Sequence, residues 1–414
     1  MKNKITLLLC ILLVAAMVLG GCASPSGDLM KGILSQNKNR VPESMNTELN
    51  QAVLNFAWNL FKESSENQGN IMISAPSAYF ALAMTLNGAN NETRTGMLKA
   101  LSADNIDLEE LNTGLNDWMT LMAENRTAKF SITNSIWLRE GYNVNKDFLQ
   151  TNADYYSAYI KSLDFGEASA PDEINSWVKE ATNGKIDKIV DKISDDLIMY
   201  LINAIYFKGD WKEQFSANKT FEMEFNAPTG KVKADFMNRR GDIDYLKLND
   251  ITGVVLPYED EQFAFVGLLP AQGQTPGDLI NELSALDLTR LLAGKEVKNI
   301  ELSLPKFETS YEDSLKNELS KLGMEIAFQP YNADFSLMRQ ENDLYIGDVK
   351  QKTYIKVDEK GTEAAAVTSV EMELTSMPVE LPKVVFDRPF VYGIIDVETG
   401  IPLFMGIMEN PAIK

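Results

Sequence analysis

The chain has 414 residues, of which 45% are hydrophobic and 24% are charged, and its 39 Lys and Arg against 59 Asp and Glu give a net charge of -20. It contains no histidine and only 2 cysteines, which excludes Ser-His-Asp and Cys-His catalysis, the HExxH metalloprotease helix, and zinc held by histidine or by four thiolates. The excess of negative charge repels phosphate backbones, so nucleic acid is disfavoured as a partner.

The first 21 residues are predicted to be a signal peptide. Lys2 and Lys4 form a basic start, and the apolar run from Ile5 to Leu19 is about 15 residues long, shorter than the ~20 that a membrane helix needs. The run ends in Leu-Gly-Gly-Cys, which resembles the bacterial lipobox. That resemblance implies cleavage before Cys22 and fatty acyl chains such as palmitate on its thiol. An ordinary secretory signal that happens to contain a cysteine is the alternative.

Residues 22–44 are predicted to be a lipidated cysteine followed by a flexible tether. They are polar and rich in turn-forming residues, and as a random coil about 20 of them would span roughly 25 Å. We therefore expect a secreted protein that is lipid-anchored at a bacterial-type cell envelope or surface, with the membrane as a partner through Cys22.

Residues 45–414 are predicted to form one body in which helices and strands are intermixed. No βαβ rhythm, repeat or linker divides this body, which predicts an α+β fold with largely antiparallel sheets. Apolar residues recur at helical spacing over 47–62 and over 313–323, where Gly323 is a predicted helix stop. The predicted strands are 263–269, 300–304, 389–396 and 401–408, the last two flanking a hairpin turn.

Motifs for enzyme chemistry are lacking in the sequence. It has no glycine-rich phosphate loop, nucleophile elbow or calcium-binding loop, and nothing singles out a carboxylate pair for glycoside hydrolysis. Asp187, Asp191, Asp195 and Asp196 could bind a cation, but a solvated helix face is the favoured interpretation. We therefore expect no enzyme activity, no metal site and no cofactor.

Residues 359–383 combine the pattern of a strand with the flanks of a loop. From Thr362 onwards one face is small and then apolar while the other carries acids, which is typical of a half-buried strand. The first face comprises Thr362, Ala364, Ala366, Thr368, Val370, Met372 and Leu374. Pro378 and Pro382 follow, as in an exposed loop. Two interpretations remain: a segment with two states, or an ordinary edge strand followed by a loop.

Several motifs in the body resemble those of the serpin family, and specifically of its inhibitory members. They are, in chain order, Asn175-Ser176-Trp177-Val178 with Gly184-Lys185-Ile186, Asn203 to Trp211, Glu359 to Ala366, Phe386 to Phe390, and Leu403 to Gly406. The third motif is similar to the hinge of the reactive loop. Its residues are Glu359, Lys360, Gly361, Thr362, Glu363, Ala364, Ala365 and Ala366.

The resemblance implies a serpin domain over 45–414, with three β-sheets, about nine α-helices and an exposed reactive loop at about 359–383. It also implies a suicide mechanism, in which a target protease attacks the loop, forms an acyl-enzyme, and is trapped when the cleaved loop inserts into the central sheet. Insertion would start at Thr362, where a charge or a proline would stall it through its burial cost or the loss of a ladder hydrogen bond. A non-inhibitory serpin that acts as a cell-surface binding or structural module is the alternative function.

The position of the reactive bond also follows from the resemblance. The family's usual spacing from Glu359 places it between Thr375 and Ser376, with Leu374 and Ser376 as alternative acyl-donating residues. The expected targets are elastase-like or chymotrypsin-like serine proteases; Thr375 would suit an elastase-like pocket, and Leu374 just before it would also suit papain-like cysteine proteases. A trypsin-like target is disfavoured, because no Lys or Arg lies between Lys360 and Lys383.

Further residue roles are implied beneath and above the central sheet. Ser74, Ser77 and Asn203 would form the shutter under the opening sheet. Trp211 would lie at the breach where insertion starts. Lys306 would pair with Glu359 at the top of the sheet.

The sequence departs from the family pattern at two of these places. Pro76 stands one position later than usual, and Gln351 occupies the place of a common histidine. These departures concern the control of sheet opening and leave the expected partners unchanged. The partners are target proteases in a covalent complex; we expect a monomer, and a heparin-type polyanion is disfavoured.

Overall fold

The structure is a computed structural model that describes residues 27–37, 40–123, 127–362 and 381–413. The predicted signal peptide and Cys22 lie outside the described residues. So do Glu363, Ala364, Ala365 and Ala366 of the hinge, and Leu374, Thr375 and Ser376 around the predicted reactive bond.

Nine α-helices occur in the described ranges. They are α1 Thr47–Ser64, α2 Ala75–Leu86, α3 Asn91–Ala100, α4 Leu108–Ala123, α5 Lys146–Tyr155, α6 Ala170–Ala181, α7 Pro276–Glu282, α8 Ala285–Ala293 and α9 Lys316–Leu319. The predicted helix at 47–62 is α1. Its first turn is capped by the Asn46 side chain, which accepts a hydrogen bond from the Leu49 N–H at 2.8 Å.

The strands of the described ranges form one seven-stranded and one nine-stranded sheet, and the second divides at its longest strand into two parts that are counted here as separate sheets. The strands are β1 Gly27–Asp28, β2 Ile71–Ile73, β3 Lys129–Arg139, β4 Tyr159–Leu163, β5 Met199–Asp210, β6 Thr220–Ala227, β7 Gly230–Leu248, β8 Ile251–Pro257, β9 Phe263–Leu269, β10 Glu296–Pro305, β11 Phe307–Ser314, β12 Asp348–Asp358, β13 Gly361–Thr362, β14 Lys383–Val385, β15 Phe390–Asp396 and β16 Pro402–Met408. All four predicted strands are present, as β9, β10, β15 and β16.

The long strand β7 joins two of the sheets. Sheet A has the order β1-β4-β3-β5-β13-β12-β11. The first part of β7 pairs with β6 and β10 in sheet C, which β14 completes. Its last part pairs with β8 in sheet B, which continues through β9, β15, β16 and β2. The predicted α+β fold with three sheets and about nine helices is therefore confirmed.

Sheet A is buried on both faces, with a different apolar cluster on each. On β5, Leu201, Ile205 and Phe207 belong to the main core with sheet B and α2. The intervening residues Tyr200 and Ile202 pack in a second cluster under α6. This alternation follows from the period of two along a strand, and it means that any strand added to sheet A must present one row of side chains to the main core.

Two expectations about helices need correction. The predicted helix over 313–323 is shortened at its start, because β11 continues to Ser314 through pairing with β12. The backbone at Gly323 has φ 117°, so the helical path does end there as predicted. The four aspartates at 187–196 lie in a loop and not on a helix face, because α6 ends at Ala181 and the backbone turns left-handed at Asn183 and Gly184.

The described part of residues 22–44, the segment predicted to be a flexible tether, lies against the body. Strand β1 adds to the edge of sheet A by pairing with β4, and the Gln36 N–H donates to Asp154 of α5 at 2.6 Å. Arg40 forms an ion pair with Asp117 of α4, also at 2.6 Å. The segment lies on the body because it satisfies the open hydrogen bonds of an edge strand, and because the Gln36 main-chain N–H and the Arg40 side chain have partners on two helices.

Candidate functional site

The hinge begins inside sheet A. Strand β13 lies between β5 and β12, with Thr362 opposite Gly209 on one side and Val357 on the other. Gly361 has no room for a side chain, because a Cβ there would lie 2.0 Å from the Gly209 carbonyl oxygen. We call the end of sheet A at Thr362 the hinge end, and the opposite end, where β5 begins at Met199, the far end.

Thr362 is held at the hinge end by a buried pair of hydroxyl groups. Its Oγ1 lies 2.6 Å from Oη of Tyr258, and neither residue is more than 1% exposed. Burial raises the pKa of Tyr258 well above its usual value, so the phenol keeps its proton. The pair satisfies two polar groups that would be costly to bury alone.

Trp211 fastens the turn that precedes Thr362. The indole N–H donates to the Asp358 carbonyl at 2.9 Å, and the Trp211 main-chain N–H donates to the Lys360 carbonyl at 2.6 Å. Its ring stacks on Tyr258, with ring centroids 4.8 Å apart. Trp211, the residue expected at the breach, therefore contacts both the hinge turn and Tyr258.

Lys306 and Glu359 meet at the same end of the sheet. Lys306 Nζ lies 3.0 and 3.1 Å from the two carboxylate oxygens of Glu359. Burial alone would raise the pKa of Glu359, but hydrogen bonds from its own backbone and from Lys306, together with the lysine charge, hold that pKa below its usual value. The pair named from the sequence is thus formed, and the charged state of Glu359 is favoured in the folded protein.

Replacing Lys306 by Met is expected to lower the free energy of unfolding by about 1 kcal/mol at neutral pH, the range of a partly exposed ion pair. Because the folded-state pKa of Glu359 is lowered, the contribution of the pair is present above the usual glutamate value of 4.5 and is lost as pH falls through the folded value. Denaturant unfolding should therefore separate Lys306→Met from wild type at about pH 7 and bring the two together at a pH below the folded-state pKa of Glu359. Lys306→Arg is the matched control; an equal loss at both pH values would assign the effect to packing of the lysine stem.

The shutter residues lie together beneath the middle of sheet A. Ser74 caps α2, its side chain accepting from the Ser77 N–H at 3.4 Å, and Pro76 occupies the first turn, where its missing N–H costs no helical bond. Asn203 on β5 and Gln351 on β12 stand directly opposite each other in a parallel pair. Ser74, Ser77, Asn203 and Gln351 are all at most 2% exposed.

Gln351 links the two strands to the helix below them. Its Oε1 accepts from the Ser74 N–H at 2.8 Å, and its Nε2 donates to the Ser74 carbonyl at 2.8 Å and to Asn203 Oδ1 at 3.5 Å. The amide therefore supplies both a donor and an acceptor, which one neutral imidazole could also do. Replacement of the common histidine by Gln351 leaves this junction connected and free of titration near neutral pH.

Gln351→Ala should destabilise the protein by about 2–4 kcal/mol, because the N–H and C=O of Ser74 lose buried partners and a cavity replaces the amide. Guanidinium unfolding at neutral pH measures this loss. Lys356→Ala, on the solvent side of the same strand, is the control and should cost less than about 1 kcal/mol. Equal small losses for both variants would show that the Ser74 groups find other partners.

A family model described as serpin (serine protease inhibitor) matches residues 51–411 of the chain. The chain belongs to the serpin family. An uncharacterised serpin-like protein of Thermococcus kodakarensis is 33% identical over 366 residues, which cover 87% of this chain and 85% of that protein. The leukocyte elastase inhibitor of Bos taurus is 32% identical over 379 residues, which cover 88% of this chain and 100% of the relative.

Solved structures agree with the family assignment. The crystal structure of tengpin, a thermophilic serpin, in its native state is 37% identical in sequence and has a TM-score of 0.88. The match covers 93% of this chain and 100% of that one. Serpins are in general protease inhibitors and not enzymes, and this serpin has inhibitors among its relatives.

Sequence reasoning missed two residues of the hinge end. Tyr258 contacts Thr362 and Trp211, and Asp358 accepts from Trp211 and binds the Lys360 N–H through its Oδ1 at 3.0 Å. Tyr258 follows β8 and reaches the hinge only through the fold, so no motif around it could have marked it. Asp358 directly precedes the hinge motif, and its position next to Glu359 was the one available signal.

The described residues of this serpin contain neither a metal-binding cluster nor a membrane-spanning helix. No group of three or more Asp, Glu or Cys side chains in the described ranges could hold a metal ion. No helix among the described residues is long and apolar enough to cross a membrane. Asp187 instead pairs with Lys179 at 2.8 Å, and Asp191 with Lys188, in the loop after α6.

Proposed function

We propose that this serpin inhibits proteases by the suicide mechanism, through insertion of its cleaved reactive loop into sheet A. The observation that carries the proposal is strand β13, in which the loop has already begun to pair between β5 and β12. Beyond Thr362 the two strands pair directly with each other, from Asp348 opposite Tyr200 to Lys352 opposite Ala204. Insertion would continue β13 by separating these pairs.

The register of β13 determines which side chains would become neighbours after insertion. Because β13 is antiparallel to both neighbours, two steps along the loop correspond to two steps back along β5 and along β12. The inserted strand would place Ala364 between Phe207 and Ile355, Ala366 between Ile205 and Thr353, Thr368 between Asn203 and Gln351, and Val370 between Leu201 and Val349. These partners are buried beneath sheet A, so the small and apolar residues of the loop match the face they would enter.

Thr368 is suited to the level at which both neighbouring side chains are amides, Asn203 and Gln351. It would separate Asn203 from Gln351 and so break their 3.5 Å contact. Within the described residues, Asn203 Nδ2 has no hydrogen-bond partner, and the Thr368 hydroxyl can accept from it while donating to another group. A threonine therefore replaces a weak contact by stronger ones, which supports an insertable loop over an ordinary edge strand.

The proposed targets are elastase-like or chymotrypsin-like serine proteases, with papain-like cysteine proteases as a further class. Thr375-Ser376 is the proposed reactive bond, and Leu374 and Ser376 are the alternative acyl donors. The bovine relative is named as an inhibitor of leukocyte elastase, which agrees with a small residue at the reactive position. The lack of Lys and Arg between Lys360 and Lys383 argues against trypsin-like targets.

Incubation with a panel of elastase-, chymotrypsin-, subtilisin- and papain-like proteases tests the proposal. The expected result is an SDS-stable adduct with at least one protease, together with loss of that protease's activity, and mass spectrometry of the released peptide would locate the reactive bond. Trypsin is the matched control and should form little adduct. Loop cleavage by every protease without adduct or inhibition would favour the non-inhibitory binding or structural module.

We also propose that the protein is anchored at the cell envelope by lipid on Cys22 and acts as a monomer. The lipobox-like Leu-Gly-Gly-Cys supports the lipid. Incorporation of labelled palmitate, lost in Cys22→Ser, tests the anchor independently of protease trapping. Light scattering of the detergent-extracted or unlipidated protein tests the oligomeric state.

A further inference from the structure

We propose that the membrane anchor holds this serpin by the far end of sheet A, so that the reactive loop points away from the lipid surface. The inference rests on the proposed lipid on Cys22. The observation that supports it is the contact between the N-terminal segment and the body. Strand β1 pairs Gly27 with Ser162 and Asp28 with Lys161, at the edge of sheet A.

The direction of β1 shows where the preceding residues start. Strand β4 runs parallel to β3, and β3 runs antiparallel to β5, so Ser162 and Leu138 lie level with Met199 at the far end. Because β1 is antiparallel to β4, the chain enters at the far end and runs towards the hinge end. At Gly27 the N-terminal side of the backbone therefore faces the far end, away from the hinge.

The length of chain between Cys22 and Gly27 determines which end of sheet A can lie near the lipid. Ser162 is level with Leu138 and Met199, and Thr362 is level with Gly209, so ten residues of β5 separate the two levels, about 33 Å at strand rise. Cys22 stands five residues before Gly27, and five residues span at most about 18 Å. Even if this stretch were fully extended towards the hinge end, Cys22 would not reach the level of Thr362. The reactive loop begins beyond Thr362, farther still from Cys22.

The segment after β1 is fastened at several further points, so the tether cannot lengthen without breaking them. The Leu29 N–H donates to the Ile160 carbonyl at 2.9 Å, and the Leu34 carbonyl accepts from Gln150 at 3.0 Å. Gln36 and Arg40 bind Asp154 and Asp117. The net charge of -20 also disfavours a posture in which the body lies against an anionic bilayer.

In this orientation, trapping would carry the protease towards the membrane. A loop inserted from Thr362 to Thr375 would carry the acyl-enzyme 13 residues along the sheet, about 43 Å, and so to the end that faces the membrane. An intact tether of about 18 Å leaves less space than a protease domain requires. Trapping at a membrane therefore requires the body to tilt or β1 to detach.

Energy transfer to a labelled bilayer tests the orientation. The lipidated full-length protein is reconstituted in phosphatidylcholine vesicles that contain an acceptor-labelled phosphatidylethanolamine. A donor is placed on one new cysteine, either Glu167→Cys, exposed just beyond β4 at the far end, or Glu213→Cys, exposed beside the hinge. Cys22 is the other cysteine of the mature chain and is blocked by its lipid. Transfer from position 167 is expected to exceed transfer from position 213 at least threefold.

A lengthened tether is the matched control. Twenty Gly and Ser residues inserted before Gly27 should bring the two transfer efficiencies close together, since a long coil no longer fixes the posture. Equal transfer without the insertion, or greater transfer from position 213, would overturn the proposal. If the lipidated protein without the insertion does not bind vesicles, the proposed lipid anchor is wrong, and the proposed orientation is wrong with it. Trapping of proteases in solution would be unaffected.

Discussion

Thr362→Arg is expected to convert this serpin from the proposed inhibitor into a substrate of its target protease. The wild-type side chain is 1% exposed and shares a 2.6 Å hydrogen bond with Tyr258. A guanidinium cannot enter this place without losing its hydration. The arginine would therefore force β13 out from between β5 and β12, and insertion of the rest of the loop would become unfavourable. With a cognate protease, the SDS-stable adduct should fall at least tenfold, and the cleaved serpin should accumulate in its place.

Two conservative variants separate burial from hydrogen bonding at Thr362. Thr362→Ser keeps the hydroxyl and should trap protease nearly as well as wild type. Thr362→Val keeps the shape but leaves the Tyr258 hydroxyl without its partner, which should cost about 1–3 kcal/mol of stability while the strand can still insert. Normal trapping by Thr362→Arg would show that insertion is not controlled at this residue.

The sequence was sufficient to predict the parts of the hinge end that are local in the chain. Glu359 to Thr362 form one continuous motif, and the alternation after Thr362 shows which face can be buried. Lys306 could be added only through the family resemblance, because 53 residues separate it from Glu359. Tyr258 has neither kind of signal, since it comes to Thr362 across 104 residues and through the packing of sheet B against sheet A.

Strand pairing explains the two segments whose structure the local sequence pattern did not predict. Residues 22–44 have the composition of a linker, yet β1 satisfies the open edge of β4, and no property of Gly27 or Asp28 alone could predict that partner. The helical spacing over 313–323 was overridden in the same way, because Ser314 pairs with Lys350 of β12. Long-range hydrogen bonds therefore decided both segments against their composition.

Cleavage of the reactive loop is expected to raise the melting temperature of this serpin by roughly 6–11 °C from three side chains alone. Burial of Val370, Met372 and Leu374 should contribute about 1.5–3 kcal/mol each. For a body of about 370 residues the unfolding entropy is near 0.8 kcal/mol per kelvin, which gives that shift. Main-chain pairing of the inserted strand with β5 and β12 would add to it.

Calorimetry on protein nicked in the loop by a protease that is not trapped measures this rise. The matched control is Thr362→Arg nicked in the same way, which should melt within about 2 °C of its uncleaved form because its loop cannot enter the sheet. The pair of measurements isolates insertion from cleavage, since the same peptide bond is broken in both proteins. A nicked wild type that melts no higher than the intact protein would mean that Thr368 does not pass between Asn203 and Gln351, and the inhibitory mechanism would lose its driving force.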